Sequence, residues 1–396
     1  MKAVVRFSDR VPGDLAPNRL TAALEALRAA GTAIVDLTVS NPTRVGLRYP
    51  VDLLAPLGEA GGLRYEPQPF GLAEARAAVS ADYARRGLAV AAGRIALTAS
   101  TSEAYSLLFK LLCDPGDRVL VPRPSYPLFE HLSRLDAIDA VPYDLEYHGV
   151  WTIDLDSVRA AAAAGARALL LVSPNNPTGS LVGREDLEAV AAICDAEGMA
   201  IVGDEVFADY PLDPDSDRVS GVLAQDRVLT FALGGLSKSV GLPQVKLGWI
   251  AAGGPAGAVT DALARLEMVA DTYLSVSTPV QLAAARLLER GAVVRRQIQD
   301  RIAANYSRLH ELAAAHPACR ALRAEGGWSA VIQVPATRSE EALVLDLLQR
   351  RQVLAHPGYF FDFPREAFLV VSLLPPEPVF ADGVARLLAE ADAPAA

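Results

Sequence analysis

Between about residues 72 and 270, apolar runs of four to seven residues alternate with stretches whose apolar positions recur at helical spacing. The runs at 95–98, 118–121, 168–172, 200–202, 228–233 and 247–252 read as strands, and their near-continuous apolarity means burial on both faces. Helical segments such as 104–112, 156–164 and 261–270, the last two alanine-rich, lie between them. That alternation predicts a mainly parallel sheet covered by helices on both faces. From about residue 280 the texture changes to a long helical run, 281–315, followed by apolar strands near 329–334 and 368–374. The expected fold class is α/β, with a large domain at 49–278 and a smaller α+β domain at 279–396 that the N-terminal segment 1–48 joins. No internal repeat is visible, and only alanine-rich stretches depart from ordinary complexity.

Composition narrows the function classes. The chain has 396 residues, 51% apolar and 21% charged, which is ordinary globular usage and enough for two cores. A net charge of −10 without a basic stripe argues against a nucleic-acid partner. Cys113, Cys194 and Cys319 lie far apart and read as reduced thiols, and the five histidines form no i,i+4 pair, so no metal is expected. The opening Met1-Lys2-Ala3-Val4-Val5-Arg6 lacks a signal-peptide core, and no run is long enough to span a membrane. The expected location is the cytoplasm.

Four strand ends carry the candidate chemistry. Lys238, in Gly234-Gly235-Leu236-Ser237-Lys238-Ser239, follows the apolar run 228–233, so an amine is presented where a buried strand stops. A free lysine has a pKa of about 10.4 and is a poor nucleophile near neutrality, but desolvation or imine formation changes that. The run Ala200-Ile201-Val202-Gly203-Asp204-Glu205 ends in a carboxylate able to face a cationic ligand nitrogen. Leu171-Val172-Ser173-Pro174-Asn175-Asn176-Pro177-Thr178-Gly179 closes a third strand with two amides bracketed by prolines. In Thr98-Ala99-Ser100-Thr101-Ser102-Glu103-Ala104-Tyr105 a strand passes through hydroxyl residues into a helix, and free N–H groups there suit a phosphate. Each segment has an ordinary reading too: a surface lysine, a solvated loop acid, a plain turn and a Ser/Thr helix cap.

Taken together in this order and spacing, these segments resemble the fold-type I pyridoxal-phosphate enzymes, specifically the class I/II aminotransferases with an aspartate aminotransferase-like fold. The resemblance spans roughly 33–375. It rests on Ser173-Pro174-Asn175-Asn176-Pro177-Thr178-Gly179, on Asp204-Glu205-Val206-Phe207, and on Ser237-Lys238 followed eight positions later by Lys246-Leu247-Gly248-Trp249. It implies that Lys238 carries pyridoxal 5'-phosphate as an internal aldimine and shuttles the substrate α-proton, while Asp204 keeps the pyridine nitrogen protonated. Asn176 would bond the phenolic oxygen and Tyr126 would stack on the ring. Ser100, Thr101, Ser102, Ser237 and Lys246 would hold the phosphate. Tyr65 matches a tyrosine that reaches the phosphate of a neighbouring subunit, which implies a homodimer with shared sites. The implied activity is transfer of an amino group between an amino acid and a 2-oxo acid. On the substrate side, Asn41, Trp328, Tyr359 and Arg365 are the candidates; Trp328 and Tyr359 read equally as core aromatics, and Arg365 as a surface charge.

Three positions depart from the family pattern. Lys246 replaces the arginine that usually grips the phosphate, supplying charge without a planar fork. Phe207 stands where a tyrosine usually donates to the phenolic oxygen, so a raised imine pKa is expected unless Tyr210 supplies that bond. Val370 stands where an arginine usually clamps the substrate carboxylate, so either Arg365 replaces it or the substrate presents another group. Two of these departures, Phe207 and Val370, keep a lyase, decarboxylase or oxidase on the same scaffold as the alternative. A nucleotide loop is disfavoured because Ser237, not glycine, precedes the lysine. A regulator with an attached DNA-binding module is disfavoured because only about thirty residues precede the family core.

Overall fold

A computed structural model describes residues 5–213 and 217–393; residues 1–4 of the opening segment lie outside them. Eight strands form the central sheet: β1 (Ile95–Thr98), β2 (Arg118–Arg123), β3 (Asp139–Tyr147), β4 (Trp151–Ile153), β5 (Ala168–Val172), β6 (Ala200–Asp204), β7 (Thr230–Gly235) and β8 (Gly248–Gly253). Their order is β1-β8-β7-β6-β5-β2-β3-β4. The pairs β2–β3, β2–β5, β5–β6 and β6–β7 are parallel. β8 runs antiparallel to both β1 and β7, and β4 antiparallel to β3.

The reversal at β8 has a local cause. Its link from β7 holds only the one-turn helix Leu236–Ser239 and the 3-10 turn Pro243–Val245, whereas a parallel return needs a crossover, usually a full helix. β3 and β4 carry mixed polar and apolar positions at the sheet edge, so a search for uniformly apolar runs passes over them.

Alternate residues of β5 feed the two faces of the sheet. Leu169 and Leu171 pack with Val190 and Ile201 on one side, while Leu170 packs with Leu108, Phe231 and Leu266 on the other. Each such side chain contributes about 2 kcal/mol on burial, so this central strand cannot slip by a residue without exchanging its two faces.

A second sheet is wholly antiparallel: β9 (Arg320–Ala321), β10 (Ser329–Gln333), β11 (His356–Pro357) and β12 (Phe368–Ser372), in the order β9-β10-β12-β11. The chain ends meet here. Val35–Asp36 pairs with Val353–Leu354, and Ser372 N donates to Leu37 O at 2.7 Å. The helix expected at 281–315 is Thr278–Ala313; its buried Asn305 amide donates to Leu373 O and Pro375 O, each at 2.8 Å, tying it to the end of β12. Among the described residues no helix is long and apolar enough to cross a membrane, and no group of three or more potential metal ligands occurs.

Candidate active site

Register places the chemistry. Val172 at the end of β5 lies beside Asp204 at the end of β6, which lies beside Leu233 in β7. The turn bearing Asn176 and the one-turn helix bearing Lys238 leave from these adjacent strand ends, as expected for ligand sites at the carboxyl edge of a parallel sheet. A cavity of about 330 Å³ opens there, and Lys238, Asp204, Asn176, Tyr126, Ser100, Thr101, Ser102, Ser237, Lys246 and Trp328 all line it.

Asp204 is held from two sides: Tyr105 Oη donates to Oδ2 at 3.1 Å and Val206 N donates to Oδ1 at 3.2 Å. Burial raises its pKa, while Val206 N–H, the Tyr105 hydroxyl and Lys238 favour the carboxylate. Burial lowers the pKa of Lys238, and Asp204 opposes that shift. The Lys238 amine sits 5.2 Å from the centre of the Trp328 ring and 5.7 Å from that of Phe207, which pack edge to face at 5.3 Å. Ser329 Oγ donates to Asn176 Oδ1 at 3.2 Å, which leaves the amide NH₂ to face the cavity.

The hydroxyl-rich segment does cap a helix. Ser100 Oγ accepts from Glu103 N at 3.2 Å, and Glu103 Oε2 reaches back to Ala99 N at 2.6 Å. The helix Thr101–Leu112 starts at the cavity wall, so its first N–H groups remain donors. Gly248 allows β8 to approach this start: a Cβ there would meet Ser100 C and Thr98 Oγ1 at 3.0 Å and Thr101 N at 3.2 Å. Lys246 is exposed, in the left-handed region at φ 60°. N–H groups, hydroxyls of Thr101, Ser102 and Ser237, and one ammonium make a donor set suited to phosphate.

Four candidates lie outside this cavity. Asn41 Oδ1 is used by Thr43, accepting from its N at 3.0 Å and from its Oγ1 at 2.7 Å; the neighbouring Ser40 lines the cavity instead. Tyr359 is 42% exposed and packs edge-on against Phe360. Arg365 is exposed, its guanidinium 5.6 Å above the Phe368 ring. Tyr65 is 73% exposed in a separate crevice with Pro67, Tyr273 and Leu274. Val370 is buried in β12, between Val331 and His356. Tyr210 does not supply the bond that Phe207 lacks, because its hydroxyl donates to Lys238 O at 2.5 Å.

Reading the sequence alone passed over Tyr105, Ser40, Ser329 and Ser372, which also line the cavity. Tyr105 occupies an apolar position of its helix and reads as core; only the sheet register brings its hydroxyl to Asp204.

Residues 36–377 match the family aminotransferase class I and II. The glutamate-pyruvate aminotransferase AlaA of Haemophilus influenzae is 28% identical over 363 residues, covering 88% of this chain and 89% of that protein. Alanine aminotransferase from Pyrococcus furiosus superposes with a TM-score of 0.86 at 23% identity, over 97% of this chain and 99% of that one. A Thermus thermophilus aspartate aminotransferase double mutant gives 0.83 at 23% identity, over 98% and 100%. The chain therefore belongs to the class I and II aminotransferases, a transaminase with the aspartate aminotransferase-like fold.

Proposed function

We propose that the cavity at the ends of β5, β6 and β7 holds pyridoxal 5'-phosphate and that Lys238 is its anchoring lysine. The observation that carries this reading is the meeting of Lys238, Asp204, Asn176 and a helix N-terminus in one cavity. When bound, the cofactor supplies an aldehyde that takes up the amino group and a pyridinium ring that draws off electrons released at the substrate α-carbon. Asp204, oriented by Tyr105 and Val206 N–H, holds a proton on the ring nitrogen. The Asn176 amide donates to the phenolic oxygen, and Tyr126 covers a ring face and excludes water. Thr101, Ser102, Ser237 and Lys246 hold the phosphate, with Ser100 capping the helix that presents the N–H groups. Lys238 Nζ, lowered in pKa by burial, moves the α-proton as general base and acid.

The substrates are an amino acid and a 2-oxo acid. Glutamate and pyruvate are the first pair to test, since AlaA is named for them. The described cavity wall offers Lys238 and Lys246 as cations and no guanidinium; Ser329 and Ser372 already donate to Asn176 Oδ1 and Val39 O, which leaves Ser40 as the hydroxyl that donates to the substrate on the β12 side. The enzyme works as a homodimer in which Tyr65, exposed in the single chain, reaches the partner's phosphate site. Residues 49–278 form the cofactor domain, and 1–48 with 279–396 form the smaller one. The location is the cytoplasm, a reading supported by three cysteines that are free in the structure.

Borohydride reduction of the loaded protein followed by peptide mass spectrometry tests the anchor. A stable pyridoxyl adduct on Lys238, absent in Lys238→Ala, is expected; an adduct on another lysine refutes it. Adding single amino acids to the yellow enzyme then identifies the donor by loss of the aldehyde absorbance without ammonia release. Ammonia with pyruvate, and no such loss, would mark a lyase.

A further inference from the structure

The Lys238 amine is held in the cavity, but its backbone is held from behind by groups that have no part in the site described above. The helix Leu236–Ser239 is a single turn whose local backbone bonds are long: Gly241 N donates to Lys238 O at 3.3 Å and Val240 N to Leu236 O at 3.4 Å. Tyr210 Oη donates to Lys238 O at 2.5 Å and lies 3.3 Å from Ser239 O. Arg295 Nε, from the long helix Thr278–Ala313, donates to Ser239 O at 2.8 Å. Tyr49 Oη completes the set, donating to Gly241 O at 2.7 Å.

Arg295 is itself fixed. Its guanidinium lies 3.5 Å from Asp82 and 3.6 Å from Asp209, and Arg85 bonds the same two carboxylates at 2.9 and 2.5 Å. Tyr210 is fully buried and acts at the other end of the lysine too. Its ring packs on Trp328 at 5.2 Å, its carbonyl accepts from Gly327 N at 2.8 Å, and Trp328 is the ring nearest the Lys238 amine. The segment that begins with Asp204 thus ends, six residues later, on the carbonyl of Lys238.

We propose that Tyr210 and Arg295 are positioning residues for Lys238, fixing the carbonyls of its turn so that the amine stays over Trp328 and Phe207 and opposite Asp204. The proposal rests on the reading of Lys238 as the anchoring lysine. The charged and titratable groups facing the amine are Asp204, Tyr105, Tyr126 and Lys246 in the cavity; Asp82, Asp209, Arg85 and Arg295 lie behind the turn. Tyr210→Phe keeps the ring contact and deletes the donor, which lets the turn relax and water reach the amine.

The test uses the full chain with and without cofactor. In the apoprotein, the pH midpoint for reductive methylation of Lys238, read by peptide mass spectrometry, should rise in Tyr210→Phe and in Arg295→Lys toward that of a free lysine, about 10.4. In the loaded enzyme kcat should fall about tenfold, as expected for one lost buried hydrogen bond, with KM little changed. Tyr143→Phe, which deletes a buried hydroxyl donating to Leu170 O at 2.8 Å and does not touch the turn, should lower thermal stability and leave the Lys238 midpoint at the wild-type value. If Tyr210→Phe and Arg295→Lys lose stability but keep the wild-type midpoint and kcat, the two residues are only structural and the proposal fails. If wild type forms no reducible imine at Lys238, the cofactor assignment fails instead, and the apoprotein midpoints still decide whether the turn is held this way.

Discussion

Lys238 and Asp204 are half-buried ionisable groups lining one cavity, and burial shifts their pKa values in opposite directions. The pKa of Lys238 is lowered on folding, so its ammonium destabilises the apoprotein at neutral pH; this penalty disappears as pH rises through the folded pKa and past the ordinary value of 10.5. Lys238→Met should therefore melt above wild type near pH 7, with the gap closing as pH approaches 10.5 in a series of apoprotein thermal scans. A gap independent of pH would mean that the amine is solvated. Arg365 gives the opposite kind of prediction. With its guanidinium on the Phe368 ring and outside the cavity, Arg365→Ala should leave kcat/KM within about twofold, the usual range for surface changes. A large rise in KM would restore it as the carboxylate anchor.

At the scale of elements, the proposed phosphate site depends on how closely β8 approaches the helix Thr101–Leu112. Gly248→Ala puts a methyl against Ser100, Thr98 and Thr101, at contacts of 3.0 to 3.2 Å. Overpacking of this kind costs about 1–3 kcal/mol. The apoprotein should bind cofactor more weakly and melt earlier, measured by absorbance titration and thermal scans; unchanged affinity would show that the helix start plays no part in holding phosphate. The strand elements were largely legible in the sequence because β5, β6 and β7 are buried on both faces and carry unbroken apolar runs. The edge pair β3–β4 was not, since its mixed pattern comes from half-exposure. Nor was the direction of β8, which depends on the length and content of its connection.

Across the whole molecule, the long helix Thr278–Ala313 joins the two sheets. Near its middle Arg295 bonds the Lys238 turn, and ten residues on Asn305 bonds the end of β12, where Ser372 lines the cavity. Asn305→Leu would leave the carbonyls of Leu373 and Pro375 unsatisfied, at a cost of about 1–3 kcal/mol for a buried acceptor. Denaturant unfolding should show that loss. The proposed sharing of sites across a homodimer makes a further prediction by symmetry. Mixing Lys238→Ala with Tyr65→Ala under conditions of subunit exchange should recover activity that neither parent has, because one of the two composite sites is then intact. No recovery would confine each site to one chain.

The residue types of the site were fixed locally: a lysine after one apolar run, an acid ending another and a proline-bracketed amide turn after a third are strand-end features that survive in one dimension. Their meeting at one sheet edge was an inference from strand order, and register is what realises it. The substrate side was far less legible. Asn41, Tyr359 and Arg365 have suitable chemistry but point to Thr43, Phe360 and Phe368, whereas Ser40, Ser329 and Ser372 carry no signature until the chain ends are brought together. Sequence determines what each strand end can do; which side chains from distant segments face it depends on packing directions that only the folded chain sets.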